Sequence, residues 1–179
     1  MKNKYVVKRL RPFGETIFAT MTQRANEVGA INLGQGFPDE DGPAQMLEIA
    51  SQQILGGNNQ YSGGRGELGL RTAVAKDRHK RFKLDYNPDT DVLITVGATE
   101  AISASVLGLV EPGDEVIVLE PYYDAYAAAI ALAGATRVAV PLKEEDNTWV
   151  LDTDAVHAAV TKKTSMIIVN SPPKDRKSV

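Results

Sequence analysis

The chain of 179 residues contains no cysteine, which excludes a disulfide framework and a thiolate metal site and agrees with a reducing compartment. Its only imidazoles are His79 and His157, too few for a histidine-rich metal centre, so no metal is expected. An excess of positive charge is also missing. The formal net charge of −3 gives no electrostatic case for nucleic acid. No apolar run is long: the longest, "AYAAAIALAGA" from Ala125 to Ala135, is too short to span a bilayer, and no membrane association is expected. The basic start "MKNKYVVKRLRPFGE" lacks the apolar stretch of a secretory signal and the serines of a transit peptide. It reads as a solvated or partner-docking arm, and the expected location is cytoplasmic.

What is present describes a soluble globular chain. The residues are 43% apolar and 24% charged, and the length suffices for one ordinary domain with a real core. A first helix is expected over Glu15 to Val28, with Ile17, Phe18, Met21, Ala25 and Val28 on one face and Gly29 closing it. A second follows Pro43 through Met46, Leu47, Ala50 and Ile54, ended by Gly56 and Gly57, and a third covers Glu67 to Phe82. From Asp91 the pattern changes. "VLITVG", "VIVLE", "TRVAVPL" and "SMIIVN" read as strands, separated by helical "ATEAISASVLGLV", "YYDAYAAAIALAG" and "DTDAVHAAVT". Strands alternating with helices predict an α/β fold, a mostly parallel sheet wrapped by helices. Ligands gather at the carboxyl ends of such strands, which directs attention to "VGATE", "LEPYYDAY" and "VNSPPK".

The local motifs differ in what they specify. Gly64, Gly66 and Gly69 spell G-x-G-x-x-G, but the dinucleotide fingerprint needs a strand directly before it, and here "NNQYS" precedes. Ser171 and Lys174 have the serine–lysine spacing of some acyl enzymes, yet Pro172 and Pro173 deny the helical turn that would align them. "TVGATEA" places Gly97 between a strand-like segment and a helix whose first amides have no intrahelical acceptor. That turn has the parts of a phosphate site, with Thr99 adding a hydroxyl, and equally those of a plain turn with Thr99 as N-cap. Tyr122, Tyr123 and Tyr126 offer either a stacking face for a flat heterocycle or packing at a helix start.

Taken together, "INLGQGFPD", "NQYSGGRGELGLR", "VLITVGATEA", "EPGDEVIVLEPYYDAY" and "MIIVNSP" occur in the order and spacing of the class I/II aminotransferases, pyridoxal-phosphate enzymes of fold type I. The resemblance covers about residues 11 to 172. "GQGFPD" with "EPYYDAY" is most similar to the kynurenine, methionine and succinyldiaminopimelate aminotransferase branch. It implies residues 1–42 as an amino-terminal arm and small-domain segment with a substrate loop, and residues 43–179 as part of the large cofactor-binding domain. It also implies a homodimer acting on an amino acid and a 2-oxo acid with pyridoxal 5'-phosphate as cofactor. In the family, the turn matching Gly97, Ala98 and Thr99 holds the cofactor phosphate. The aromatic matching Tyr123 stacks on the pyridine ring, and the residue matching Asn170 lies in the cofactor site. The tyrosine matching Tyr61 reaches the other subunit's phosphate, and the glycine matching Gly36 offers its amide to the substrate carboxylate.

The resemblance ends abruptly. The family continues Asn-x-Pro-x-Asn-Pro-x-Gly, and its second asparagine bonds the cofactor's phenolic oxygen. This chain reads Asn170, Ser171, Pro172, Pro173, Lys174, so lysine stands where that asparagine belongs. The family's later aspartate, Schiff-base lysine and substrate-binding arginine have no match. The expectation is an aminotransferase by family whose 179 residues alone contain no catalytic lysine and are inactive, ended by frameshift, design or natural truncation. The alternative is a non-catalytic fragment that binds at most phosphate or a partner chain.

Overall fold

The computed structural model describes residues 5–34 and 40–171. After a single 3-10 turn (Lys8–Leu10) come α1 (Ile17–Val28), α2 (Ala44–Leu55), α3 (Leu68–Phe82) and α4 (Gly97–Leu109). Then follow β1 (Glu115–Glu120), α5 (Asp124–Ala133), β2 (Thr136–Pro141), β3 (Lys143–Glu145), β4 (Thr148–Val150), α6 (Thr153–Ala159) and β5 (Thr164–Ile168). The described residues fall into two units: those up to 34 with those from 99 onward, and those from 40 to 98. None of the described helices is long and apolar enough to cross a membrane.

The first unit is built on a parallel sheet of order β2-β1-β5. Its central strand, "EVIVLE", alternates β-branched and leucine side chains to both faces, as a strand covered on both sides requires. Val116 and Val118 pack with Val106 of α4 and Ile130 of α5. Ile117 and Leu119 face the other way, against Val140 and α6 residues Ala155 and Val156. The crossovers explain the layering. The chain steps from β1 to β2 in one direction, then from β2 past β1 to β5 in the other. Two right-handed crossovers of opposite direction put α5 and α6 on opposite faces. Burying each of the valine, isoleucine and leucine side chains of β1 contributes about 1.5–3 kcal/mol.

The expected helices form, with small shifts at their starts. Thr16 caps α1 by accepting the Ala19 amide at 3.2 Å, and Gly29 ends it in the left-handed region at φ 64°. Three expectations change. The basic arm is docked: its 3-10 turn packs on α5, and Arg9 Nε donates to the Leu132 carbonyl at 3.1 Å near that helix's end. A cation there satisfies a carbonyl without an intrahelical donor and complements the helix dipole. A β3–β4 hairpin also appears, turned by Asp146 and Asn147 at φ 48° and 58°. Both residue types tolerate this conformation, but without glycine and with three-residue strands the signal was weak.

The third change concerns "VLITVG". Among the described residues it joins no strand ladder, because no described strand lies beside it. Val92 is nonetheless buried, and the Ile94 amide donates to the Arg65 carbonyl at 3.1 Å within the second unit. A loop carbonyl replaces the missing ladder.

The hairpin is tied to α6 through one carboxylate. Asp152 Oδ2 meets Lys143 Nζ at 2.6 Å, while its Oδ1 accepts the Ala155 amide at 3.0 Å as the helix N-cap. The Lys143 hydrogen bond, then the Ala155 amide, hold this carboxyl below its ordinary value of 3.8. A depressed acid contributes stability that is present above its unfolded pKa and is lost as pH falls through the folded one. The Ala155 amide shift is therefore expected to titrate with a midpoint below 3.8. A transition centred at or above that value would contradict the cap and ion pair.

Candidate functional site

In the first unit the carboxyl edge of the sheet gathers three of the residues singled out in the sequence. Val118 of β1 pairs with Ile168 of β5, so two residues further on Glu120 and Asn170 lie level at that edge. Helix α4 returns along β1, with Val106 packed on Val116 and Val118. Its 13 residues span about 20 Å, and the six of β1 span nearly the same, about 20 Å. Thr99 therefore reaches the edge where β1 ends. Ile102, one turn after Thr99, and Tyr123 both pack against the same buried cluster.

The start of α4 is shaped by Gly97, whose φ of 76° lies in the left-handed region. Its amide donates to the Thr95 carbonyl at 2.9 Å, and the Thr95 hydroxyl donates to the Gly97 carbonyl at 3.0 Å. A side chain at Gly97 would be strained there, while the space beside it is open: a Cβ would meet nothing within 4 Å. Gly97, Ala98 and Thr99 are all exposed. Because the helix begins at Gly97, Thr99 sits inside its first turn and is not the N-cap. The first amides of the helix lack intrahelical acceptors, and the helix dipole favours an anion beside them.

The tyrosines divide their roles. Tyr126 is a core residue, 7% exposed. Tyr122 stacks on it at 6.4 Å and carries the Arg137 guanidinium 5.3 Å from its own ring centre. Tyr123, half-buried at the residue before α5, stands edge-on to Tyr126 at 5.9 Å and 86°. This edge-on contact fixes the plane of the Tyr123 ring. Taken each by itself, the open space at Gly97 suits an anion and the Tyr123 ring suits a flat group.

A groove of about 940 Å³ adjoins this edge, lined in part by Phe18, Met21, Leu33, Tyr122, Arg137 and Trp149. The sequence did not reveal it. Its walls come from α1, two loops, β2 and the hairpin, and each segment alone reads as a packing face. Tyr61 belongs to the second unit and is fully exposed. Gly36 and Lys174 lie outside the described residues. Among the described residues no group of three or more histidines, aspartates and glutamates is placed to hold a metal ion.

Comparison with known proteins bears on the family and the fold. The family model for aminotransferase class I and II matches residues 28–173. A probable N-succinyldiaminopimelate aminotransferase of Mycobacterium tuberculosis is 55% identical over 166 residues, covering 93% of this chain and 42% of that protein. The methionine aminotransferase of Escherichia coli is 38% identical, covering 92% and 42% respectively. A solved N-succinyldiaminopimelate aminotransferase from M. tuberculosis superposes with a TM-score of 0.91 at 54% identity, over 94% of this chain and 44% of that one. The chain thus spans about two-fifths of the length of these relatives. It belongs to the class I and II aminotransferases, a pyridoxal-phosphate-dependent family with the fold type I architecture.

Proposed function

We propose that this chain supplies the phosphate- and ring-holding part of an aminotransferase site that moves an amino group between an amino acid and a 2-oxo acid. The observation that carries the reading is the convergence of Thr99, Tyr123 and Asn170 on one sheet edge. At the turn formed by Gly97, Ala98 and Thr99, the Gly97 amide is taken by the Thr95 carbonyl, so the amides of Ala98 and Thr99 would hold the phosphate of pyridoxal 5'-phosphate, with the Thr99 hydroxyl as a further donor. Tyr123 would lie against the ring, and Asn170 would approach it from β5. When bound, the cofactor supplies the electron sink on which transamination depends. The adjoining groove suits a substrate side chain, with Arg137 available to a second carboxylate.

Family membership further supports a homodimer, in which Tyr61 would reach the partner's phosphate and Gly36 would offer its amide to the substrate carboxylate. The division into an amino-terminal segment to residue 42 and a cofactor domain from 43, and a cytoplasmic location, belong to the same reading. Given 55% identity to a probable N-succinyldiaminopimelate aminotransferase, that acid is the first amino donor to try. A second reading, a non-catalytic chain that binds phosphate or a partner, is favoured by the described lysines of the first unit, since Lys162 and Lys163 precede β5 and Lys143 is held by Asp152.

The experiment compares binding of pyridoxal phosphate and of pyridoxal, which lacks the phosphate, followed through Trp149 fluorescence. Thr99→Val removes one hydrogen-bond donor, worth about 0.5–1.5 kcal/mol net, so pyridoxal phosphate affinity is expected to fall about two- to tenfold. Pyridoxal affinity should not change. An equal effect on both ligands, or on neither, would remove the phosphate from this turn.

A further inference from the structure

The phosphate turn lies at the end of a segment that no described strand supports, which raises the question of what holds that segment still. The answer lies in the second unit, at Arg71 of α3. Its Nε donates to the Gly66 carbonyl at 3.2 Å, and its Nη1 donates to the Pro88 carbonyl and to Asp89 Oδ1, the latter at 3.0 Å. The Arg71 side chain is 12% exposed, against 68% for Asp89. The two carbonyls, more than the ion pair, therefore account for its place, since exposed pairs contribute little.

Both gripped pieces bear on residues 92 to 96. On one side, Arg65 immediately precedes Gly66, and the Arg65 carbonyl accepts the Ile94 amide. The Arg65 Nη1 also donates to the Asp89 carbonyl. On the other side, the turn ahead of Val92 is closed on itself. Asn87 Oδ1 accepts the Asp89 amide at 2.8 Å, and Asp91 Oδ2 accepts the Asn87 amide at 2.9 Å. The Asp91 carboxyl is held below its ordinary value by its hydrogen bonds to Thr90 and Asn87, so this turn keeps its charge and shape at neutral pH. Arg71 is the one described side chain that joins the two pieces through three acceptors. Gly97 and Ala98 follow the gripped segment directly, in the same unit.

We infer that Arg71 is a positioning residue for the phosphate-binding turn at Gly97 and Ala98, acting through the Gly66 loop and the Asn87–Asp91 turn. The inference rests on the aminotransferase reading of that turn. A guanidinium suits the task because its rigid fork addresses several oxygens at once, which the single ammonium of lysine does not.

The test uses the isotope-labelled 179-residue chain and inorganic phosphate as the probe, read at the amide shifts of Gly97, Ala98 and Thr99. In the unchanged chain these amides should move with phosphate. Arg71→Ala should raise the phosphate concentration needed by about tenfold, the lower end of what outer-shell partners contribute at metal sites. Arg71→Lys should fall between the two, and Asp89→Asn should differ little from the unchanged chain. Faster exchange of the Ile94 amide should accompany the loss in Arg71→Ala, while the Ala155 amide at α6 stays unaffected. Should Arg71→Ala fail to fold, Arg71→Lys decides, and phosphate affinity equal to the unchanged chain would overturn the role of Arg71 alone. An absence of phosphate shifts in the unchanged chain would remove the phosphate reading, and this role with it.

Discussion

Incubated with pyridoxal phosphate, N-succinyldiaminopimelate and a 2-oxo acid, the 179-residue chain alone is expected to give no amino-acid product above a no-protein control. Borohydride should fix no stoichiometric adduct on any one lysine. Transamination in this family needs an uncharged lysine amine at the sheet's carboxyl edge, as nucleophile and as proton carrier. The described lysines of the first unit are not placed for this. Lys162 and Lys163 precede β5, and the Lys163 carbonyl accepts the Glu115 amide where β1 begins. They lie at the amino edge, with the five residues of β5, about 17 Å of strand, between them and Asn170. Lys8 is in the 3-10 turn that packs on α5. Lys143 follows β2 at the carboxyl side, but its ammonium is held by Asp152 at 2.6 Å. That hydrogen bond raises its pKa above the ordinary 10.5, which keeps it protonated and unreactive. Proton transfer by a positioned group alone contributes about 10²–10⁴-fold in rate, so the expected loss is essentially complete. Adding the carboxyl-terminal three-fifths of a relative as a separate chain is the positive control. Turnover by the 179 residues without it would show that a lysine of this chain does serve.

Replacing Gly66 by alanine is expected to destabilise the second unit by about 2–5 kcal/mol. Its φ is 86°, and a Cβ there would lie 2.5 Å from the Ile94 Cβ and 2.7 Å from Cγ1. A left-handed backbone costs a side-chain-bearing residue about 1–2 kcal/mol, and forcing a methyl group into a filled space costs about 1–3 kcal/mol more. The obstructing atom is a branched Cβ on a segment already bonded to the Arg65 carbonyl, so it cannot swing aside as a flexible chain end would. For a chain of this size the change corresponds to a melting shift of about 4–20 °C. Trp149, the single tryptophan, belongs to the first unit, so the loss should be followed by circular dichroism and by exchange at the Ile94 amide. Gly64→Ala is the control, since a Cβ there meets nothing within 4 Å, and surface changes of this kind stay within about 0.5 kcal/mol. Equal melting of the two variants would show that Ile94 does not press on Gly66.

The same glycine illustrates the limits of reading the chain alone. In the sequence, Gly64, Gly66 and Gly69 matched a dinucleotide fingerprint that lacked its strand. In the structure Gly66 is needed because Ile94, 28 residues later, packs against it. Local periodicity was enough for the sheet and its helices. "EVIVLE" had to be buried on both faces, Gly29 had to end α1, and alternating strands and helices implied parallel pairing. The spacing of several motifs over nearly the whole chain was enough for the family. Local signals fall short wherever a residue's role depends on distant neighbours. "VLITV" has a strand's composition, but strand formation needs a partner's hydrogen bonds, and the Ile94 amide found the Arg65 carbonyl instead. Tyr122, Tyr123 and Tyr126 look alike in sequence; only packing made Tyr126 core, set Tyr122 beneath Arg137 and turned Tyr123 edge-on to Tyr126 at the sheet edge. Lysine count was legible, yet only the fold put Lys162 and Lys163 at the wrong edge and Lys143 against Asp152. By itself the sequence determined the helices, the three strands of the parallel sheet and the family, because periodicity and motif spacing are written along the chain. Tertiary structure decided the Arg71 clasp and the groove, because each joins segments that carry no mark of one another until the chain folds.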